Sequence, residues 1–287
     1  MAKLERSAGR TLFAPVIFRL ALKLEQIAWA EFAESAAEAV FALRATQRLF
    51  KQDVIFTWFD TWLEAEAGGV AVERDALGRV VNEPQPPALQ PSADAVLAGA
   101  PVTHAVEIVR RLRDEPVVTV AMLSAGATLL RRFVGNAECR RILQDLSRSD
   151  VKPADRALLD RLREISVGLA RAYCEAGAGA LLLVQETDSP DLVELADAAA
   201  LFNLTEYYAT PVLLLCRDPL SAQGCTVAER ITGGLYATPT QAGSAIAPLP
   251  AAGQAPGASW LALSRWEVDP DTPPDAVRAW QSALQAA

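Results

Sequence analysis

The amino-acid sequence predicts an α/β protein in which helices cover a parallel sheet or barrel. Short apolar runs alternate with longer segments of helical periodicity, the pattern of repeated βα units. Tyr173–Thr187 shows one unit most clearly, because a helix ends on Glu175-Ala176-Gly177, an apolar strand follows, and the strand ends on Gln185-Glu186-Thr187. Since α/β barrels keep their chemistry at the carboxyl ends of the strands, this triplet marks a candidate site.

Six apolar runs have the length and composition of buried strands. They are Phe13–Phe18, Asp53–Phe59, Pro116–Leu123, Ala180–Val184, Pro211–Leu215 and Trp260–Ser264. The chain of 287 residues has the size of one large barrel, and we expect residues 1–287 to form one domain. Residues 219–257 are rich in Gly, Pro, Ala, Ser and Thr and are short for two further βα units, so the barrel is expected to be abbreviated there.

Helical periodicity occupies most of the chain between these strands. Glu25–Phe50 contains no Gly or Pro and predicts a long helix or a helical pair. Thr103 is a candidate cap for a helix that runs through Arg113. The remaining predicted elements are helices around Glu138–Leu146, from Pro153 to Gly177, from Ser189 to about Leu204 and after Thr272-Pro273, and a hairpin over Val70–Val81.

The net charge and the composition indicate which kinds of molecule the protein is expected to bind. The net charge of −8 and the pI of about 4.9 disfavour binding to nucleic acid or to an anionic membrane, but they allow a local basic pocket for a small anionic substrate. The four cysteines form no CxxC pair, which argues against a disulfide framework or a zinc ribbon. We find no signal peptide and no apolar run of spanning length, and we expect a cytoplasmic protein.

Polar residues follow most of the predicted strands. If the strands are parallel, these residues gather on one rim, and that convergence is the main evidence for a site that comes from the residues alone. The residues of this rim are Arg19, Asp60, Thr128, Gln185, Glu186, Cys216, Arg217, Asp218, Arg265 and Glu267.

Four stretches of the sequence follow one another in the order of a known set of motifs. They read D…EAEAGG from Asp60 to Gly69, AGATL at Ala125–Leu129, EAGA at Glu175–Ala178 and DPDTPPDAV at Asp269–Val277. They resemble the D…EAEALG, GxPxTL, EAGAD and PPDTPPENV motifs of the uroporphyrinogen decarboxylase superfamily, which includes the uroporphyrinogen decarboxylases and the zinc-dependent corrinoid:thiol methyltransferases. The resemblance covers most of residues 13–285, with residues 219–257 unmatched.

This resemblance implies a (β/α)8 TIM-type barrel, commonly dimeric, with its site at the carboxyl ends of the strands. Asp60 matches the aspartate that, in the decarboxylases, lies over the pyrrole nitrogens and stabilises the cationic intermediate. Arg19 and Lys23 are the counterparts of the arginine pair that holds substrate carboxylates. A homodimer is therefore expected.

The chain departs from the superfamily at the positions of the metal ligands. The resemblance places zinc ligands in a His-x-Cys sequence after the fifth strand and in a cysteine after the last strand, and here these positions read Leu214-Leu215-Cys216 and Trp266. One cysteine is too few for a tight zinc site, so no metal and no cofactor are expected. The decarboxylases carry a histidine at the position of Trp266. The larger Trp266 side chain is expected to fill part of the pocket, which favours a smaller or flatter substrate than a porphyrinogen.

The leading hypothesis is an enzyme that performs metal-independent, decarboxylase-like lyase chemistry on a small carboxylated substrate. Asp60 and Glu186 are the expected catalytic residues, although Glu186 is also a candidate ion-pair partner for Arg217. The expected substrate-binding residues are Arg19, Lys23, Thr128, Gln185, Arg217 and Trp266. The alternatives are a corrinoid- or thiol-type methyltransferase with an altered metal site and a non-catalytic relative that binds a ligand.

Overall fold

The computed structural model describes residues 12–84, 92–186, 198–216, 246–250 and 259–286. Seven strands occur in these ranges. They are β1 (Leu12–Val16), β2 (Val54–Phe56), β3 (Val118–Ser124), β4 (Ala180–Gln185), β5 (Val212–Cys216), β6 (Ile246–Pro250) and β7 (Ser259–Glu267). The strands β2, β3, β4 and β5 pair in that order and are all parallel, whereas β7 pairs parallel with β1 and antiparallel with β6.

The first strand joins the two groups of strands. The backbone N–H of Asp53, just before β2, donates to the carbonyl oxygen of Phe13 in β1 at 2.9 Å, and Asp53 Oδ2 accepts the Phe13 N–H at 2.8 Å. The described strands therefore run β6-β7-β1-β2-β3-β4-β5, and the last strand of the chain lies beside the first. This is the strand order of a TIM-type barrel, and it confirms the predicted fold class.

Helices flank these strands, and their buried apolar residues belong to the same hydrophobic core as the strands. They are α1 (Arg19–Glu25), α2 (Trp29–Glu34), α3 (Ala36–Phe50), α4 (Leu63–Ala67), α5 (Ala93–Ala98), α6 (Ala100–Leu112), α7 (Gly126–Ser147), α8 (Pro153–Ala176), α9 (Ala198–Tyr207) and α10 (Pro274–Ala286). None of the helices in the described ranges is long and apolar enough to cross a membrane.

The best-predicted helix is α8, which begins at Pro153 and ends before Gly177. Proline suits the first turn of a helix, where its missing N–H is not needed. Gly177 has a φ of +97°, and the N–H of the following residue, Ala178, bonds back to the carbonyl of Tyr173 at 3.0 Å. This left-handed glycine cap turns the chain directly into β4.

Several predicted boundaries differ from the structure. The cap of α6 is Gly99 and not Thr103, because the Thr103 hydroxyl lies inside the helix and donates to the carbonyls of Gly99 and Ala100. Of the two alternatives predicted over Glu25–Phe50, the helical pair is correct, but it begins at Trp29. It consists of α2 and α3, divided at Ser35, whose Oγ accepts the N–H of Glu38 at 3.3 Å.

Two further elements were missed or misjudged in length. β6 was not predicted, and the other residues of 219–257, where the barrel was expected to be abbreviated, lie outside the described ranges. The strand predicted over Asp53–Phe59 is shorter, at Val54–Phe56. The N–H of Thr57 still donates to the carbonyl of Val120 at 3.0 Å, and the chain leaves the sheet after Thr57. This departure positions the residues that follow β2.

Candidate functional site

A pocket of about 420 Å³ opens at the carboxyl ends of β1, β2, β4 and β7. This is where an α/β barrel is expected to hold its ligand. Its lining residues come from six segments of the chain. They are Arg19, Phe59, Asp60, Thr61, Trp62, Arg79, Val80, Arg132, Glu186, Trp266, Glu267, Val268, Asp269 and Pro270.

Asp60 lies in the wall of this pocket and is only 4% exposed. Its Oδ1 accepts the backbone N–H of Trp62 at 3.1 Å, and its Oδ2 lies 2.5 Å from Nη2 of Arg74. Arg74 also contacts Glu66 at 2.6 Å and donates to the carbonyl of Gly78 at 2.9 Å. The guanidinium of Arg74 therefore holds the carboxylate of Asp60, and Glu66 and Gly78 in turn hold that guanidinium in position.

Arg19 is the first residue of α1 and is bound by Glu267 at the end of β7. The two Glu267 oxygens accept the Arg19 backbone N–H at 2.6 Å and its Nη1 at 2.5 Å. Burial raises the pKa of Glu267, and the neighbouring Arg19 opposes that shift. The remaining Nη donors of Arg19 reach the carbonyls of Phe59 at 3.3 Å and Gly78 at 3.2 Å. Arg19 thus joins β1, β2 and β7 around the pocket.

Glu186, the first residue after β4, forms an ion pair with Arg132 from α7. Arg132 is 4% exposed, donates to the Thr61 hydroxyl at 2.7 Å and lies 4.1 Å from the ring centroid of Trp62. Burial lowers the pKa of Arg132, and the charge of Glu186 opposes the shift. No sequence pattern indicates this partner, because the candidate ion-pair partner for Glu186 is Arg217, which lies outside the described residues.

A buried group behind the pocket ties β2 to β3. Glu64 is 2% exposed and accepts the backbone N–H of Ser124 at 2.8 Å and its hydroxyl at 2.9 Å. Burial raises the pKa of Glu64, and these hydrogen bonds oppose the rise. Because Glu64 and Asp60 belong to the same turn and helix, this contact holds the segment that carries Asp60 against the end of β3.

The predicted hairpin at residues 70–81 forms one side of the pocket. Its turn is closed by hydrogen bonds from the N–H of Asp75 to the carbonyl of Arg79 at 2.9 Å and from the N–H of Arg79 to Asp75 Oδ1 at 2.8 Å. Gly78 has a φ of +77°, and a Cβ there would lie 2.1 Å from the ring of Trp29. The hairpin supplies Arg74, which holds Asp60, and Arg79, which lines the mouth.

The other predicted site residues occupy different places. Lys23 lies outside the pocket lining and pairs with Asp271 at 2.5 Å on the surface. Thr128 is fully buried, and its Oγ1 accepts the backbone N–H of Glu186 at 2.8 Å, so it positions that residue. Gln185 is 1% exposed and ends β4 beside Cys216 of β5. Arg217 lies outside the described residues.

The pocket has one aromatic wall. Trp266 at the end of β7 packs edge to face against Phe59, with ring centroids 5.2 Å apart. Both rings line the pocket together with Trp62. An aromatic wall opposite ionised groups suits a small, flat molecule that carries a charge.

The donor set does not fit the zinc centre of the related methyltransferases. The residues at two of the three ligand positions are Leu214 and Trp266, and neither side chain has an atom that binds zinc. Within the described ranges, no three His, Cys, Asp or Glu side chains are grouped as metal ligands.

Comparisons with known proteins place this chain in a family. A family model described as Uroporphyrinogen decarboxylase (URO-D) matches residues 6–200. Among the solved structures that match, a methyltransferase from Methanosarcina mazei gives a TM-score of 0.70 at 16% identity, over 99% of this chain and 96% of that chain. At this identity the likeness shows the fold. No curated protein sequence matches the chain significantly. The family resemblance identified from the four motifs is confirmed.

Proposed function

The chain belongs to the uroporphyrinogen decarboxylase family, and from that membership we propose that it is an enzyme with decarboxylase-like lyase activity on a small carboxylated substrate. The observation that carries the proposal is the environment of Asp60. A buried carboxylate, fixed by Arg74 and by a backbone N–H, faces a pocket that also presents arginines and an aromatic wall.

The chemistry of decarboxylation explains why such a carboxylate is useful. The bond to the carboxylate carbon breaks, CO₂ leaves, and the electron pair stays on the substrate until a proton replaces the lost group. A protonated, electron-poor substrate accepts this pair most readily. Asp60 would stabilise the positive charge of that substrate, and it would do so without reorganising, because Arg74 and Trp62 already hold it.

Glu186 is the second proposed catalytic residue. It lines the pocket with 12% of its side chain exposed, and its backbone and side chain are held by Thr128 and Arg132. A carboxylate in this setting would take a proton from solvent at the pocket and deliver it to the substrate carbon that has lost CO₂. Asp60 would then stabilise charge while Glu186 moves the proton.

The volume of the pocket supports a small substrate. At about 420 Å³ it lies in the lower part of the range of roughly 300–1,000 Å³ that is usual for small-molecule sites. Trp266 and Phe59 occupy part of the rim. A single aromatic or pyrrole ring with carboxylate side chains matches these dimensions and this lining.

The proposal is tested by measuring CO₂ release from carboxylated aromatic and pyrrole compounds with the wild-type protein and with Asp60→Asn. Loss of a preorganised charge should lower kcat by on the order of 10²–10³. Asp155→Asn is the matched control, because Asp155 is also a buried aspartate paired with an arginine, Arg141, but lies in α8 outside the pocket lining. Full activity in Asp60→Asn would refute the role of Asp60, and binding without turnover of any compound would indicate a non-catalytic relative.

Methyl transfer is the second candidate function, and Cys216 is the observation that favours it. This cysteine ends β5, at the position where the related methyltransferases carry a thiolate ligand of zinc. The test is the zinc content of the dialysed protein together with an assay for methylation of a thiol. About one zinc per chain, abolished in Cys216→Ser, would favour methyl transfer over decarboxylation.

A further inference from the structure

We infer that Arg79 binds the carboxylate of the substrate at the mouth of the pocket, and that it exchanges Asp269 for that carboxylate. The inference rests on the proposed function, because it takes the ligand to be carboxylated. It assigns specificity to a hairpin residue that neither the sequence pattern nor the family resemblance singled out.

The two other arginines that line the pocket are already committed to partners within the protein. Arg19 is held by both oxygens of Glu267 and by two backbone carbonyls, and only 11% of its side chain is exposed. Arg132 is held by Glu186 and Thr61, and only 5% of its side chain is exposed. A substrate carboxylate could bind either of them only by displacing a buried carboxylate, which would be left without its partner.

Arg79 differs from both in exposure and in pairing. Its side chain is 44% exposed, and its contact with Asp269 spans 3.8 Å, which is longer than a hydrogen bond. Among the described residues of the pocket lining, it is the arginine without a hydrogen-bonded carboxylate. Its planar fork of N–H groups is therefore available to bind a carboxylate through two hydrogen bonds.

The backbone of Arg79 is fixed even though its side chain is not. The Arg79 N–H donates to Asp75 Oδ1, and the Arg79 carbonyl accepts the N–H of Asp75. The carbonyl of the preceding residue, Gly78, accepts hydrogen bonds from the side chains of Arg19 and Arg74. The guanidinium thus extends from a rigid support that is tied to the rest of the site. Less ordering is needed when the substrate binds, which favours affinity.

Asp269 is placed as the competitor that the substrate replaces. It lines the pocket from the segment after β7, its side chain is 69% exposed, and its Oδ1 also accepts the N–H of Asp271 at 2.7 Å. A solvent-exposed ion pair at this distance is weak, so little is lost when the carboxylate of the substrate replaces Asp269.

The experiment measures the affinity of three carboxylate probes, succinate, phenylacetate and pyrrole-2-carboxylate, and of the uncharged phenylacetamide. Titrations followed by NMR compare the wild-type protein with Arg79→Gln, Asp269→Asn and Arg278→Gln. Arg278 is the matched control, because it is an exposed arginine paired with an exposed aspartate, Asp275, and does not line the pocket.

We expect Arg79→Gln to weaken the binding of a carboxylate by about tenfold, the effect of losing one charge-assisted contact at a partly exposed site. The affinity for phenylacetamide should stay within about twofold, because the amide carries no charge to lose. Asp269→Asn should strengthen carboxylate binding by about two- to threefold by removing the competitor. A merely structural role of Arg79 would change the amide and the carboxylate affinities together.

The outcomes separate this inference from the proposed function. If the wild-type protein and Arg79→Gln bind the carboxylates equally well, Arg79 does not bind the substrate carboxylate. The proposed function would then stand, with another residue binding that carboxylate. If the wild-type protein binds none of the three carboxylates, the proposed function fails and the inference fails with it.

Discussion

Replacing Arg74 should destabilise the protein more than replacing its partner Asp60, although both substitutions break the same ion pair. In Asp60→Asn, the guanidinium of Arg74 keeps Glu66 at 2.6 Å and the carbonyl of Gly78 at 2.9 Å. In Arg74→Met, the carboxylate of Asp60 loses the cation that contacts it while it stays buried, at 4% exposure. The structure thus predicts an asymmetry between the two partners.

The magnitudes follow from what each substitution leaves behind. Leaving a buried charge without its partner costs about 3–5 kcal/mol, which we expect for Arg74→Met. Losing one contact to a charged group costs about 1.5–3 kcal/mol, which we expect for Asp60→Asn. The double substitution removes the stranded carboxylate, so it should cost less than the sum of the two single changes by about 1–3 kcal/mol.

The assay is equilibrium unfolding in urea for the four proteins of this double-mutant cycle, with the slope m fitted for each. An unchanged m would show that the shifts in midpoint report stability and not the compactness of the unfolded state. Equal losses for the two single variants, or strict additivity in the double variant, would refute the reasoning that Arg74 is the fixed support of Asp60.

Three further outcomes follow from particular residues. Gly78→Ala should cost about 2–5 kcal/mol in urea unfolding, because it combines a φ of +77° with a Cβ 2.1 Å from Trp29; the control Gly69→Ala, where φ is +94° but the space is open, should cost only about 1–2 kcal/mol. Burial lowers the pKa of His104 below its usual 6.5, so the unfolded state takes up the proton first as the pH falls. The wild-type protein should therefore lose stability relative to His104→Gln between about pH 7 and pH 5, and parallel pH profiles would contradict this. Burial raises the pKa of Cys139 to about 11, so alkylation of the native protein near pH 8, mapped by mass spectrometry, should leave this thiol unmodified until urea unfolds the chain.

The strand positions and the rim were the parts of the structure that the sequence predicted well. Buried strands leave a strong local signal, because each is a short apolar run with a polar residue directly after it. Asp60, Glu186, Trp266 and Arg19 all reach the pocket for this reason. Their convergence needs only that the predicted strands be parallel and lie in barrel order. The structure shows both for β2–β5 and for β1 with β7, whereas the unpredicted β6 is antiparallel.

The residues that were missed come from segments without that signal. Arg132 lies in α7, and nothing in its local sequence distinguishes it from the partly exposed Arg131 or the exposed Arg140 on the same helix. Arg74 and Arg79 belong to a hairpin whose strands pair only at one bridge, between Arg74 and Val80. These residues matter for the site only if their side chains face the pocket. For a residue on a helix or in a loop, tertiary packing decides that orientation, and the local sequence does not show it.

Arg19 shows that a cation at the end of a strand can already be paired within the protein before any ligand binds. Its partner Glu267 is 248 residues away in the sequence, and the two meet only because the last strand returns to the first. A charge is available to a ligand only if the fold has not already neutralised it, and long-range contacts decide that. In this pocket they commit Arg19 and Arg132 to the protein's own carboxylates and leave the exposed Arg79 facing the solvent, where an anionic substrate would first arrive.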